Sequence, residues 1–224
     1  MELVVGASAA AAARSLAGRI TIAARQSMAK RGVCNLALSG GATASVLLAE
    51  LVNTEIFWGR VNVYQVDERV APEGDGARNA TALVAELAEQ VGLPPGRLHL
   101  MDVTAPDLHD AARRYEASLP DHLDVVHLGL GLDGHTASWP PGDAVVHSAA
   151  SVAVVGPFAG HLRLTLTPQV INRAGQRLFL VAGAAKSDVL ARLRGGDPSL
   201  PATAVAEPTL IYADRAAAAT TPPG

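Results

Sequence analysis

The sequence predicts an α/β protein, a single domain of 224 residues with a mostly parallel sheet flanked by helices on both faces. Short apolar runs, the length of buried strands, alternate with segments of helical spacing, as a parallel sheet requires. The composition is 49% hydrophobic and 17% charged, so the chain can bury a large core. Polar, glycine-rich clusters follow the apolar runs directly, and ligands bind beyond the carboxyl ends of strands in such sheets.

The individual elements follow from residue type and spacing. Alanine-rich residues with helical periodicity predict a first helix over 9–30, and the apolar run 33–38 predicts a buried strand. The remaining predicted elements are, in chain order, a helix over 44–51, a strand over 61–66, a loop over 71–78, helices over 79–91 and 107–119, a strand over 124–130, strand-like segments over 152–155 and 162–166, a short helix over 168–174, a strand over 177–182, a helix over 186–194, a strand over 209–213 and a frayed tail over 216–224.

Charge and cysteine content exclude several classes of function. With 18 basic and 21 acidic residues the net charge is −3, which argues against bulk binding to nucleic acid or to an anionic membrane. The single cysteine, Cys34, excludes an internal disulfide, and its apolar surroundings predict a buried thiol. The N-terminus carries Glu2 where a signal peptide needs basic residues, and the longest uncharged run, 144–162, contains glycine, proline and histidine. We therefore expect a soluble, cytoplasmic protein.

The segment 39–43, Ser-Gly-Gly-Ala-Thr, joins a predicted strand to a predicted helix. Two glycines allow close approach to a ligand, and the following helix offers free N–H groups and a positive dipole end. This arrangement suits a phosphate, although the Gly-Lys-Ser/Thr ending of a P-loop is absent. An ordinary turn with a Ser or Thr helix cap is the alternative.

A Gly-x-Gly-x-x-Gly pattern spans 129–134, after a predicted strand. A dinucleotide site is excluded because Asp133 would place an anion beside the pyrophosphate, and no helix pattern follows. The acidic residue expected near position 154 is also absent, since Val154 stands there. The predicted architecture is therefore Rossmann-like without dinucleotide binding.

The same glycine-rich segment carries a carboxylate and an imidazole. Asp133 and His135 would point the same way in an extended segment, and a carboxylate beside an imidazole orients a general base. His127, inside the predicted strand, is expected to be a satisfied core or surface histidine. A zinc site made of these three residues is a weaker alternative, because no recognised ligand spacing is present.

Charged residues mark two further places. Asp67, Glu68 and Arg69 follow the second strand, as either a solvated loop or part of the cleft. No acidic residue occurs over 144–187, a stretch that contains Arg163 and Lys186. A lysine at a helix start opposes the helix dipole unless an anion binds there. Both observations favour an anionic ligand.

Taken together and in this order, these motifs resemble the 6-phosphogluconolactonase family, within the superfamily that also holds glucosamine-6-phosphate isomerase/deaminase. The resemblance rests on the segments 38–43, 66–69, 128–138, 163–167 and 183–186. It implies hydrolysis of 6-phospho-D-glucono-1,5-lactone to 6-phosphogluconate, the second step of the oxidative pentose phosphate pathway. It also implies no cofactor and a sugar-phosphate lactone as partner. Because the sequence has no recognised ligand spacing, we expect no metal, and we expect a monomer or small homo-oligomer.

The resemblance assigns roles to particular residues. It implies that His135 is the general base that activates water and that Asp133 and Asp67 lie in the site. It implies that the phosphate and lactone are held by residues from four segments: Ser39, Gly40, Gly41, Thr43, Arg69, Arg163 and Lys186.

Two departures from the family pattern bear on the pocket. Trp139-Pro140 stands where the family usually has Leu-Phe, which is expected to reshape one wall. Arg78 stands where a serine usually precedes Asn79, and is expected either to contact the phosphate or to be exposed.

Two other functions are weighed against the lactonase. An amino-sugar phosphate isomerase/deaminase is expected to carry an acid five residues after the histidine, where this chain has Pro140. A non-catalytic sugar-phosphate sensor is expected to carry a basic DNA-binding helical domain. We expect no such domain, because this chain has neither the extra length nor the basic charge.

Overall fold

The computed structural model describes residues 1–219, which form two sheets. The main sheet has seven parallel strands in the order first, tenth, ninth, sixth, second, third and fifth, and the second sheet has three antiparallel strands in the order fourth, eighth and seventh. The strands are β1 (Glu2–Gly6), β2 (Cys34–Leu38), β3 (Val61–Gln65), β4 (Asp67–Arg69), β5 (Leu98–His99), β6 (Val125–Leu128), β7 (Val152–Phe158), β8 (His161–Leu166), β9 (Gln176–Val181) and β10 (Thr209–Asp214).

Helices cover both faces of the main sheet, as the sequence predicts. Over residues 1–219 they are α1 (Ala9–Arg31), α2 (Ala42–Val52), α3 (Asn79–Leu83), α4 (Leu108–Ser118), α5 (Pro168–Ile171), α6 (Ser187–Arg194) and α7 (Arg215–Ala218). Helix α3 continues as a π-helical turn over Val84–Ala88. None of the helices in this part of the chain combines the length and apolarity needed to cross a membrane.

The core has two layers, one on each face of the main sheet. Helices α1 and α2 cover one face, where Leu16 and Leu47 are fully buried. Helices α4 and α6 and the second sheet cover the other face, where Tyr115 and Leu164 pack in the same cluster as Phe179 of β9. Because side chains alternate along a strand, neighbouring residues of one strand meet different layers.

Strands β2 and β6 lie side by side, and the chain leaves them in opposite directions across the sheet. Such a topological switch point opens a crevice at the carboxyl ends of the strands. A hydrogen bond of 3.3 Å from the Ser39 backbone N–H to the His127 carbonyl ties the two strand ends together. The crevice is bordered by the segments that follow β2, β3, β6 and β9.

The structure corrects the sequence analysis at several elements. Strands β1 and β5 were not predicted, because β1 is a partly exposed edge strand and β5 has only two residues. The charged triplet Asp67–Arg69 is a strand rather than a solvated loop, since β4 pairs with β8 and its first two residues are buried. The predicted frayed tail over 216–224 is wrong at its first residues, because α7 includes 216–218 and buries Ala217. Residues 220–224 lie outside the described part.

Candidate active site

A cavity of about 320 Å³ opens at the crevice between the ends of β2 and β6. This volume is within the range of small-molecule sites. All the site residues that the sequence analysis named border it except Asp133, which contacts the cavity-lining His135. Residues that the sequence analysis did not assign to the site also line it, namely Ala42, Ala44, Asn79, His127, Gly129, Leu130, Gly131, Thr136 and Ala137.

The turn between β2 and α2 forms one end of the cavity. Gly41 has φ +97°, a conformation that favours glycine, and a Cβ on Gly40 would overlap the side chain of Asn79. Helix α2 starts with neither a side-chain cap nor an acidic residue in its first turn, as far as residues 1–219 show. Its first N–H groups are therefore available to an anion at the cavity.

Asp133 and His135 are paired, but a tight turn brings them together rather than the extended segment that was predicted. Gly131 N–H donates to the His135 carbonyl at 2.8 Å, and Gly134 has φ +82°. Asp133 Oδ1 lies 2.5 Å from His135 Nδ1 and accepts the His135 backbone N–H at 3.2 Å. Partial burial favours a higher pKa for Asp133, but the hydrogen bonds from His135 outweigh it, so this pKa lies below its ordinary value.

Phe158, at the end of β7, belongs to the site and was missed from the sequence. Its ring meets the His135 imidazole edge to face, with centroids 5.0 Å apart, and the Arg163 guanidinium lies 4.8 Å from the Phe158 centroid. The His135 side chain keeps 31% of its surface exposed, so it still reaches solvent. Phe158 therefore packs against both the imidazole and a cation.

Asp67 is buried at the start of β4 and is held by three neighbours. Ser138 Oγ donates to its Oδ2 at 2.6 Å, Asn79 Nδ2 lies 3.4 Å from its Oδ1, and Arg163 lies 4.0 Å from Oδ2. Burial raises the pKa of Asp67, while the Ser138 hydrogen bond and the charges of Arg163 and Arg69 oppose the rise. Ser138 is the last residue of the motif segment 128–138, yet nothing in the sequence indicated that it bonds a residue 71 positions away.

Three cations border the cavity from different segments. Arg69 and Arg163 are paired in register across β4 and β8. Lys186 lies in the short 3₁₀ turn before α6, and its Nζ donates to the Leu130 carbonyl at 2.6 Å. Burial lowers the pKa of Lys186. These three charges exceed the negative charge of Asp67 and Asp133, so the cavity attracts an anion.

His127 was expected to have hydrogen-bond partners for its ring, and this expectation was wrong. It is 1% exposed, and both of its ring nitrogens are without a hydrogen-bond partner among residues 1–219. Burial lowers the pKa of His127 to about 4, so the imidazole is neutral near pH 7. The sequence showed a histidine inside a strand but could not show that this residue lines the cavity.

The two departures from the family pattern are not among the residues that line the cavity. Arg78 is 9% exposed, with its Nε 3.5 Å from Glu68 Oε2, so it is neither exposed nor a cavity residue. Trp139 is fully buried and donates from Nε1 to the Leu166 carbonyl at 2.8 Å. The expectation for Arg78 was wrong, because its guanidinium lies beside the buried Glu68 carboxylate. Trp139 is not among the residues that line the cavity.

The structure also bears on the metal site, the dinucleotide site and the thiol considered from the sequence. Within the described residues, no three His, Cys, Asp or Glu side chains converge to hold a metal ion. The segment after Gly129 forms turns rather than the helix of a dinucleotide site. Cys34 is buried as predicted, which raises the pKa of its thiol to about 12.

An α/β sheet with a carboxylate–histidine pair and three cations in one crevice defines an enzyme of small anionic substrates. Residues 7–212 match the family described as glucosamine-6-phosphate isomerases/6-phosphogluconolactonase. The chain belongs to this family, as the sequence resemblance implied.

Two curated relatives are each 34% identical to this chain and are named 6-phosphogluconolactonase. The protein from Rhizobium meliloti (strain 1021) matches over 90% of this chain and 94% of its own length. The protein from Synechocystis sp. matches over 78% of this chain and 77% of its own length. The likeness therefore extends over most of both proteins in each case.

Solved structures share the fold at lower sequence identity. A 6-phosphogluconolactonase from Thermotoga maritima is 24% identical, with a TM-score of 0.86 over 95% of this chain and 98% of that one. A monomeric glucosamine-6-phosphate deaminase is 21% identical, with a TM-score of 0.84 over 97% of this chain and 99% of that one. The fold alone thus does not separate the two activities, and the site must do so.

Proposed function

We propose that this protein is a 6-phosphogluconolactonase that hydrolyses 6-phospho-D-glucono-1,5-lactone to 6-phosphogluconate. One observation carries the proposal: the Asp133–His135 pair lies at the same cavity as Arg69, Arg163 and Lys186. A base in a cationic cavity suits a reaction in which water attacks an ester of an anionic sugar. The names of the curated relatives support the same activity.

His135 serves as the general base in this proposal. Its Nδ1 bonds to the ionised carboxylate of Asp133, so Nδ1 carries the proton and Nε2 keeps its lone pair. Nε2 takes a proton from water as the water oxygen attacks the lactone carbonyl. The tetrahedral intermediate then expels the ring oxygen, which receives that proton back from the imidazolium.

In the proposed reaction, Arg163 and Arg69 stabilise negative charge, and Asp67 positions Arg163. Arg163 and His135 both pack on Phe158, and Arg163 lies near Asp67, so we assign the positive charge of Arg163 to the oxyanion. Asp67 acts as a positioning residue, because it is bonded to Ser138 and lies beside Arg163. Arg69 adds positive charge on the same side of the cavity.

The phosphate is remote from the reacting carbonyl and orients the lactone. We assign it to the end of the cavity formed by Ser39, Gly40, Gly41, Thr43 and the first N–H groups of α2, with Lys186 as the charged contact. Free N–H groups at a helix start and an ammonium both favour a dianion. Lys186 uses one donor on Leu130 and retains two others for the ligand.

The amino-sugar phosphate deaminase is less well supported. The position at which that group is expected to carry an acid holds Pro140, which has no proton to transfer. Pro140 also borders a separate cavity with Gly142 and Pro201 rather than the one described above. The site therefore lacks the group that would assist opening of an amino-sugar ring.

Lactone hydrolysis measured with freshly prepared substrate tests the proposal. The rate is compared with spontaneous hydrolysis in the same buffer and with His135→Asn protein. We expect wild-type rates well above both controls and no ammonia release from glucosamine 6-phosphate. Hydrolysis equal to the spontaneous rate would reject the lactonase, and ammonia release would favour the deaminase.

The setting of the reaction follows from the same assignment. We propose that the protein acts in the cytoplasm on a small-molecule substrate as a monomer or small homo-oligomer, without nucleic acid, membrane, metal or cofactor as a partner. The net charge of −3 and the single buried thiol are consistent with that setting.

A further inference from the structure

His127 is a buried polar side chain whose hydrogen-bonding groups are unused. Its side chain is almost completely covered, yet neither ring nitrogen has a partner within the described chain. Buried polar groups in folded proteins are nearly always hydrogen-bonded, so such a group needs an explanation. His127 is one of the residues that line the cavity, where a ligand could supply the missing partner.

The position of His127 in the sheet places it next to the proposed phosphate site. In register, His127 of β6 stands between Leu38 of β2 and Leu178 of β9. Those two leucines pack in the layer of α1 and α2, so the imidazole lies on the face that α2 covers. The His127 carbonyl accepts the Ser39 N–H at the start of the turn that leads into α2.

Two other groups at this end of the cavity lack partners as well. Ser39 Oγ is buried and has no hydrogen-bond partner over residues 1–219. Helix α2 begins without a side-chain cap in the same part of the chain. A hydroxyl, a set of helix N–H groups and a neutral imidazole can each donate to the oxygens of one phosphate, which offers only acceptors when it is a dianion.

The charge of the imidazole decides how it would act. Because the ring is buried, it is neutral near pH 7, with one N–H donor and one acceptor. It therefore adds a directional donor to the phosphate, whereas Lys186 adds charge. A water molecule bridging the imidazole to the protein would be the alternative, and it predicts no dependence of phosphate binding on His127.

We propose that His127 donates a ring N–H to the phosphate of the substrate and so belongs to the phosphate-binding site. This inference rests on the proposed function and deepens it by naming a residue of the site. The hydrogen bond is charge-assisted, because its acceptor is a phosphate oxygen. His127 is a binding residue in this view and takes no part in the proton transfers at His135.

Binding of inorganic phosphate and of 6-phosphogluconate, measured by calorimetry, tests the proposal without turnover. We compare wild type with His127→Leu, which keeps similar volume, with His127→Gln, which retains a donor, and with His99→Leu as a control outside the cavity. His127→Leu should weaken phosphate binding by about 10- to 100-fold, and His127→Gln should recover part of the loss. His99→Leu should bind like wild type.

Kinetics separate a binding role from a structural one. His127→Leu should raise KM for the phosphorylated lactone and leave kcat within about twofold, because the contact is equal in ground and transition states. Hydrolysis of unphosphorylated glucono-1,5-lactone should not change. Equal losses on both lactones, or unchanged phosphate binding in His127→Leu, would overturn the proposal.

If His127→Leu does not fold, a titration of wild type with inorganic phosphate tests the contact between His127 and the phosphate. The ¹⁵N resonances of the His127 ring should shift on saturation with inorganic phosphate, and unchanged resonances would reject the contact. If phosphate binding depends on His127 but the lactone is not hydrolysed above background, the proposed function fails and the phosphate contact stands. The two failures are therefore distinguishable.

Discussion

At the scale of single residues, the proposed mechanism uses Nε2 of His135, because Asp133 Oδ1 lies 2.5 Å from its Nδ1. The same pairing gives Asp133 a role in the proposed mechanism although it does not line the cavity. The Phe158 ring also packs against the imidazole. Two contacts thus orient the proposed base before a substrate arrives, as an effective general base requires.

Replacement of His135 should remove most of the activity while the fold is retained. An Asn side chain cannot accept the proton, so we expect kcat to fall by ~10²–10⁴ in His135→Asn. His109→Asn is the matched control, since His109 is exposed on α4. Steady-state kinetics together with circular dichroism check the result. Near-normal kcat in His135→Asn would exclude this residue as the base.

Lys186→Ala should affect the phosphorylated lactone selectively. Loss of a charge-assisted contact should lower kcat/KM for that substrate by ~10–150-fold and change hydrolysis of the unphosphorylated lactone little. Lys30→Ala is the control, because Lys30 is exposed near the end of α1. The comparison of the two lactones decides the role. If both substrates lost activity equally, Lys186 would not be a phosphate contact.

His127 should make the stability of the protein depend on pH. Burial lowers the pKa of His127 to about 4 in the folded state, against 6.5 ordinarily. The unfolded state then binds more protons between these values, so the free energy of unfolding falls as pH decreases from 6.5 towards 4. Compared with His127→Leu, wild type should lose about 2 kcal/mol between pH 7 and pH 5.

Denaturant unfolding of both proteins at the two pH values, in buffer without phosphate, measures this difference. The comparison of the two proteins cancels the titration of carboxyl groups that they share. A pH-independent difference in unfolding free energy would show that His127 titrates normally in the folded state.

At the scale of elements, the turn after β6 brings the acid and the base together by close packing. A Cβ on Gly131 would overlap both the His135 ring and the Asp133 carboxylate, whereas a Cβ on Gly129 meets nothing within 4 Å. Both glycines line the cavity in the same short segment. They therefore form a matched pair for testing the geometry of the turn.

Gly131→Ala should disrupt the catalytic pair, and Gly129→Ala should not. We expect kcat of Gly131→Ala to fall by about 10²-fold or more, because misplacement of about 1 Å is costly in catalysis. Gly129→Ala should keep activity close to wild type. Kinetics and thermal unfolding of both variants provide the measurement. Equal activity of the two variants would mean that the turn tolerates movement of His135.

At the scale of the whole molecule, the topological switch point between β2 and β6 collects the site from segments far apart in the chain. The turn after β2, the strand after β3, the turn after β6 and the turn after β9 all border one cavity. The antiparallel sheet of β4, β8 and β7 adds Arg163 and Phe158. The resulting cavity is rich in cations and contains no cluster of metal-binding side chains within residues 1–219.

Chelation should leave the activity intact. The proposed mechanism places the base, the positive charges and the phosphate donors on side chains and backbone of this chain, so removal of metal ions removes no reacting group. The measurement is lactone hydrolysis before and after extensive dialysis against EDTA. Loss of activity that one added metal restores would contradict a metal-free mechanism.

The sequence by itself determined the parallel α/β sheet, the order of most elements and the residues that join the site after each strand. These features are local: strand and helix periodicity, glycines in turns and charges next to them are visible within short windows. The motif resemblance also indicated the family. Edge strands β1 and β5 escaped because they are short or partly exposed, which weakens the hydrophobic pattern.

The tertiary structure decided which polar side chains find partners. Ser138 reaches Asp67 and Phe158 reaches His135 because the second sheet packs at the carboxyl ends of the main strands. The packing also places the Arg78 guanidinium beside the buried Glu68 carboxylate. It leaves both ring nitrogens of His127 without a hydrogen-bond partner in the described chain. Such pairings depend on contacts between distant segments, and a pattern within one segment carries no information about them.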